Sequence, residues 1–150
     1  MPTLFDSQSE GSIRARVARL TPDSPARWGR MNARQMLCHL TDGFRVALGE
    51  APVTPKGGPL TFGPLRWLVV YALPWPKGKL PTSPEFLAST PEDWTADLAR
   101  WSAACDRFVA RARTPEPNFG IHPAFGRLAP SEWGRLISLH SDHHLRQFGV

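Results

Sequence analysis

Apolar residues recur in four stretches of this chain at the three- and four-residue spacing of an amphipathic helix. The first stretch runs from about Ser7 to Leu20, with Ile13, Val17 and Leu20 on one side, and the prolines and turn formers of residues 21–25 stop it. The second begins after Asn32, which can cap the helix while Gln35 reaches back to it, and carries Met36, Leu37, Leu40, Phe44 and Ala47 inward until Gly49. For the third, Thr90 is the expected N-cap, Pro91 the first helical residue, and Glu92 and Asp93 the complement to the dipole. Trp94, Leu98, Trp101, Cys105, Phe108 and Ala112 then form a continuous apolar seam. The fourth opens near Pro130 and Ser131 and runs almost to Val150. These four one-sided helices predict an all-α fold, a four-helix bundle, in a single domain spanning residues 1–150.

The connections differ sharply in length. Residues 51–89 hold half of the sixteen prolines and so exclude a long helix or a central strand. Within them, Leu65 to Leu73 can form about two apolar helical turns, ended by Pro74 and Pro76. A crossover of this length, between the second and third helices, permits neighbouring helices to run parallel. A second loop, from Thr114 to Ala129, contains His122 and leads into the last helix. No strand is expected anywhere.

Composition narrows the class. A chain of 150 residues with 41% hydrophobic residues and six Trp can bury one real core. The apolar run from Trp67 to Leu73 is far short of a membrane span. The first ten residues lack the basic-then-apolar order of a signal peptide. Two cysteines, Cys38 and Cys105, lie inside predicted helices rather than in a disulfide framework. Together these point to a cytoplasmic protein. The net charge of +5 comes from Arg side chains interleaved with acids, which suits solvated helix faces and argues against specific nucleic-acid binding.

The chemistry lies in the last helix. At about 100° per residue, Trp133, Leu136, Ile137, His140, His144 and Phe148 share one stripe, with Asp142 and Arg146 roughly opposite. Two imidazoles one turn apart on a buried face need polar partners, and a divalent metal ion suits both at once. The competing reading makes each a core histidine bonded to a carbonyl or a serine. His39, at the flank of the second helix's apolar stripe, can supply a third nitrogen. Asp42, one turn later, is a candidate fourth ligand or an acceptor that orients an imidazole, and Gln147, two turns below His140, has a similar supporting role. Cys38 is rotated away from His39 and reads as a small core residue; His143 falls outside the pair, and His122 reads as structural. Three nitrogen ligands leave a position for water or substrate, as hydrolytic and Lewis-acid sites require.

One His in the second helix, H-x-x-x-H in the last, and a long crossover together resemble the DinB/YfiT-like metalloenzyme superfamily, closest to a branch known only as a domain of unknown function. The matching residues are His39 within Met36-Leu37-Cys38-His39-Leu40 and His140 with His144 within residues 140–147; Trp28-Gly29-Arg30-Met31-Asn32 is similar too. The resemblance implies an up-down-down-up bundle, a zinc or nickel ion on His39, His140 and His144, and a homodimer. It also implies a metal-dependent enzyme, because characterised relatives transfer low-molecular-weight thiols such as bacillithiol or act as mycothiol-dependent isomerases. The crossover here is richer in Pro and Trp than that pattern and carries no thiol-cofactor signature.

The first reading is therefore a metal-dependent transferase or hydrolase that activates a thiol or water for a small-molecule substrate. The alternative is a non-catalytic metal-binding or interaction bundle using the apolar Trp67 to Trp75 patch, with nucleic-acid association third.

Overall fold

Asn32 and Gln35 form the reciprocal cap that their spacing predicts. The Asn32 side chain accepts from the Gln35 amide at 2.9 Å, and the Gln35 side chain accepts from the Asn32 amide at 3.0 Å. The computed structural model, which describes residues 2–73 and 82–150, is mostly helical. Its long helices are α1 (Ser7–Val17), α2 (Ala33–Leu48), α4 (Trp94–Ala112) and α5 (Pro130–Gln147). A short α3 (Gly63–Trp67) continues as a π-helical turn, Leu68–Ala72, in the middle of the crossover. Its predicted stop at Pro74 and Pro76 lies outside the described residues.

The centre of the molecule is α2, which is buried on nearly every side. It packs against α4, α5 and a 3-10 turn at Pro84–Leu87, while α1 lies on α5. Phe44, Phe108 and Trp133 are the bulkiest fully buried side chains, contributed by α2, α4 and α5. Phe5 and Phe119 extend it through ring contacts with Phe108 at 5.1 and 5.2 Å. Each such ring removes on the order of 150–250 Å² from water, so these few residues dominate the hydrophobic stabilisation.

Three elements differ from expectation. The first helix ends at Val17; Leu20 still reaches the core, through a tight turn in which its amide donates to the Val17 carbonyl at 3.0 Å. The third long helix is capped by Asp93, not Thr90: the Asp93 carboxylate accepts from the Ala96 amide at 3.0 Å, which leaves Pro91 and Glu92 outside the helix. A carboxylate at the N-cap outcompetes a more distant hydroxyl because it is charged and faces the positive end of the dipole. Finally, a minimal antiparallel ladder, β1 (Ile121–His122) with β2 (Gly126–Arg127), stands in the loop where no strand is expected. Two-residue strands carry too little alternation to be seen in a sequence.

The loop that carries the ladder is pinned to the end of α2. The Gly120 amide donates to the Ala47 carbonyl at 2.7 Å, and a side chain at position 120 would collide with the Val46 carbonyl oxygen. Glycine is required there by close approach. Among the described residues no helix is long and apolar enough to cross a membrane, and both cysteines are buried and free.

Candidate metal centre

Two helices bring the three predicted histidines together. His39 projects from the buried middle of α2, and His140 and His144 from one face of α5. The His39 Nε2 lies 2.7 Å from the His140 Nε2 and 3.1 Å from the His144 Nε2. The rings meet edge to face, with centroids 4.6 to 4.9 Å apart. Nitrogens bound to one ion at about 2.0–2.1 Å sit about 2.8–3.0 Å apart at octahedral angles and about 3.3–3.4 Å apart at tetrahedral ones. The 3.1 Å separation lies within these limits and the 2.7 Å separation just below them.

The outer nitrogens set the tautomers. The His39 Nδ1–H donates to the Phe86 carbonyl at 2.7 Å, from the 3-10 turn packed on α2. The His144 Nδ1–H donates to the Gln147 Oε1 at 2.8 Å. The Gln147 amide is fixed in turn because its Nε2 donates to the Trp28 carbonyl at 2.6 Å. Both rings therefore direct an unprotonated Nε2 inward, and two lone pairs face each other across 3.1 Å. Burial pushes all three imidazoles below their ordinary range, His144 down to about 3 and His140 well below. Neighbouring imidazoles push the same way. The trio is thus neutral at physiological pH, the state that a metal ligand must have.

The Gln147 side chain meets His144 rather than His140. It can do so because Gly29, at φ 81°, lets the chain pass so closely that an added Cβ would come within 2.5 Å of the Gln147 Nε2. Asp42 takes a different role from the one its spacing suggests. Its carboxylate accepts from the Ser89 amide at 2.8 Å, the Ser89 hydroxyl at 2.5 Å and Arg45 at 3.2 Å. It fastens the segment after Phe86 to α2, close to the carbonyl that His39 meets.

The remaining candidates stand aside. His143 lies edge-on to the rings of Trp28 and His144, at 5.9 and 5.2 Å. The His122 Nδ1 accepts from the amides of Ala124 and Phe125 at 3.1 and 3.2 Å, with its ring against Phe86, Phe125 and Trp133. Cys38 is buried, and burial pushes its thiol up, away from nucleophilic or ligating use. Sequence reasoning missed the carbonyls of Phe86 and Trp28, since a backbone acceptor has no residue-type signal. The weak signals that existed were Pro84, which opens the 3-10 turn, and Gly29 beside Trp28.

Residues 6–149 match a family described as "Protein of unknown function (DUF1569)". The chain belongs to this family. No curated protein and no solved structure matches it. In this DUF1569 member, then, the functional reading rests on the three histidines, which could hold a metal ion, and on the groups that aim them.

Proposed function

We propose that this protein binds one divalent ion, zinc or nickel, on His39, His140 and His144 and is a metal-dependent enzyme of the DinB-like type. The observation that carries the reading is the pair of inward Nε2 lone pairs, each fixed by a hydrogen bond at the opposite ring nitrogen. Two neutral acceptors held at 3.1 Å repel one another, and a cation between them turns that repulsion into attraction.

Bound there, a divalent ion would supply Lewis-acid activation of a water or thiol at the position that three protein ligands leave open. The chain's own residues do the positioning. Phe86 and Gln147 hold two rings in the ligating tautomer, and Trp28 and Asp42 hold those holders in place. The reaction class proposed is thiol transfer or hydrolysis on a small molecule. The same reading takes the four long helices as an up-down-down-up bundle forming one domain over residues 1–150. It also places the protein in the cytoplasm, as a homodimer.

Metal content by plasma mass spectrometry on tag-free protein tests the centre, with wild type beside a His140→Ala/His144→Ala double variant. About one ion per chain, lost in the variant, is the expected result. No ion in either protein after dialysis against zinc, nickel or manganese would sink the proposal.

The non-catalytic reading draws on a separate observation. Phe62, Trp67 and Leu73 are at least half exposed on the crossover, a surface that suits self-association; Trp75, also part of the predicted patch, lies outside the described residues. Sedimentation of wild type against Trp67→Ser would separate this role from the metal's.

A further inference from the structure

The back of α5, turned away from the histidines, packs on α1 around a cleft of about 330 Å³. Arg135, Ser138, Asp142 and Arg146 supply one wall from α5; Ser12 and Arg16 supply the other from α1. On each helix these positions recur at three- and four-residue steps, so each set forms one stripe. The wall is strongly unbalanced, with three guanidiniums to one carboxylate.

That carboxylate, Asp142, is shared. Arg16 Nη1 reaches it at 2.8 Å and Arg146 Nε at 3.0 Å. Arg16 Nη2 also donates to the Val150 carbonyl oxygen at 2.9 Å. Both terminal nitrogens of Arg146 then remain unengaged among the described residues. Arg135 donates through Nη1 to the Pro2 carbonyl at 2.9 Å, but its Nε is buried and has no acceptor among the described residues. An N–H removed from water without a partner is destabilising, more so on a cation. The cleft wall is therefore short of negative charge.

We propose that this cleft binds the phosphate group of a small molecule. A phosphate dianion has the charge to offset the two cations that Asp142 leaves uncompensated. Its several oxygens can accept from the fork of Arg146, with the Ser12 and Ser138 hydroxyls as further donors. A lone carboxylate matches less well, because it has one charge, two oxygens and a planar shape. The volume exceeds what inorganic phosphate fills, which leaves room for the organic part of an ester. This site is independent of the metal centre.

The test is ³¹P NMR titration of inorganic phosphate with chelator-treated protein at constant ionic strength. It compares wild type, Arg135→Gln, Arg146→Gln and, as a charge control, Arg107→Gln, whose partner is Glu50 elsewhere on the surface. Saturable one-to-one binding is expected in wild type and in the control, weakened about tenfold or more in each of the other two. Arg146 is 71% exposed, so its variant carries the test even if Arg135→Gln fails to fold. Equal binding in all four proteins, or none in wild type, would overturn the proposal. Acetate binding as tightly as phosphate would overturn the assignment to a phosphate group.

Discussion

At the scale of single residues, the centre is built less by its histidines than by what holds their far sides. An imidazole is a ligand only while one nitrogen keeps its lone pair and points it correctly. For His144 that task belongs to Gln147, and for His39 to a backbone carbonyl that no substitution can remove. Gln147→Leu should therefore keep all three rings and lose the tautomer lock, lowering zinc affinity by about 10–100-fold. Competition against a chromophoric chelator would read this directly. An unchanged affinity would mean that packing alone orients His144. Asp42 shows the converse at this scale: it sits one turn from His39, yet its bonds to Ser89 make it a fastener of the Phe86 segment.

At the scale of elements, helix starts decide which side chains reach the core and in what rotation. The cap of α2 sets the turn on which His39 stands, and its Asn–Gln reciprocity is local enough to be read from spacing. The start of α4 is not, because several residues before Trp94 are chemically suitable caps. Asp93 takes the place because its carboxylate bonds the Ala96 amide, while Asp97 turns back to the Glu92 amide at 3.2 Å. Asp93→Ala should cost about 1 kcal/mol of stability and Thr90→Ala close to nothing, measured by urea unfolding. Equal effects would place the cap elsewhere. The β1–β2 ladder belongs to the same scale: it exists because Gly120 lets the loop touch α2, not because its residues favour strands.

At the scale of the whole molecule, burial of neutral imidazoles makes stability depend on pH. His122 shows the effect apart from the three clustered histidines. The packed rings around it remove it from water and push its pKa down to about 4, against an ordinary value of 6.5. Between these values the unfolded chain binds a proton that the folded chain refuses, so stability rises with pH across this window. Its contribution is fully present above about 6.5 and is lost as the pH falls toward 4, on the order of 3 kcal/mol in all. The metal-free protein should therefore unfold progressively more easily over that range. His122→Gln should show a shallower slope in denaturant titrations at pH 7, 6, 5 and 4. An identical slope would mean that His122 is no more buried than in the unfolded chain.

The sequence by itself determined the helical class, the long helices to within a few residues, the cap of α2, and the three histidines that meet. Each of these is encoded by periodicity or by a local side-chain bond, and such signals survive without knowledge of the fold. Only the tertiary structure decided which groups aim the imidazoles, that Asp42 serves Ser89, and that three arginines line one cleft. Apart from the Gln147–His144 bond, most of those outcomes join residues from 47 to 134 positions apart, several through backbone carbonyls. Every residue carries a carbonyl, so nothing in the side-chain pattern marks which one will be a partner. Packing makes that choice, because a buried polar atom takes whatever acceptor the core brings within reach.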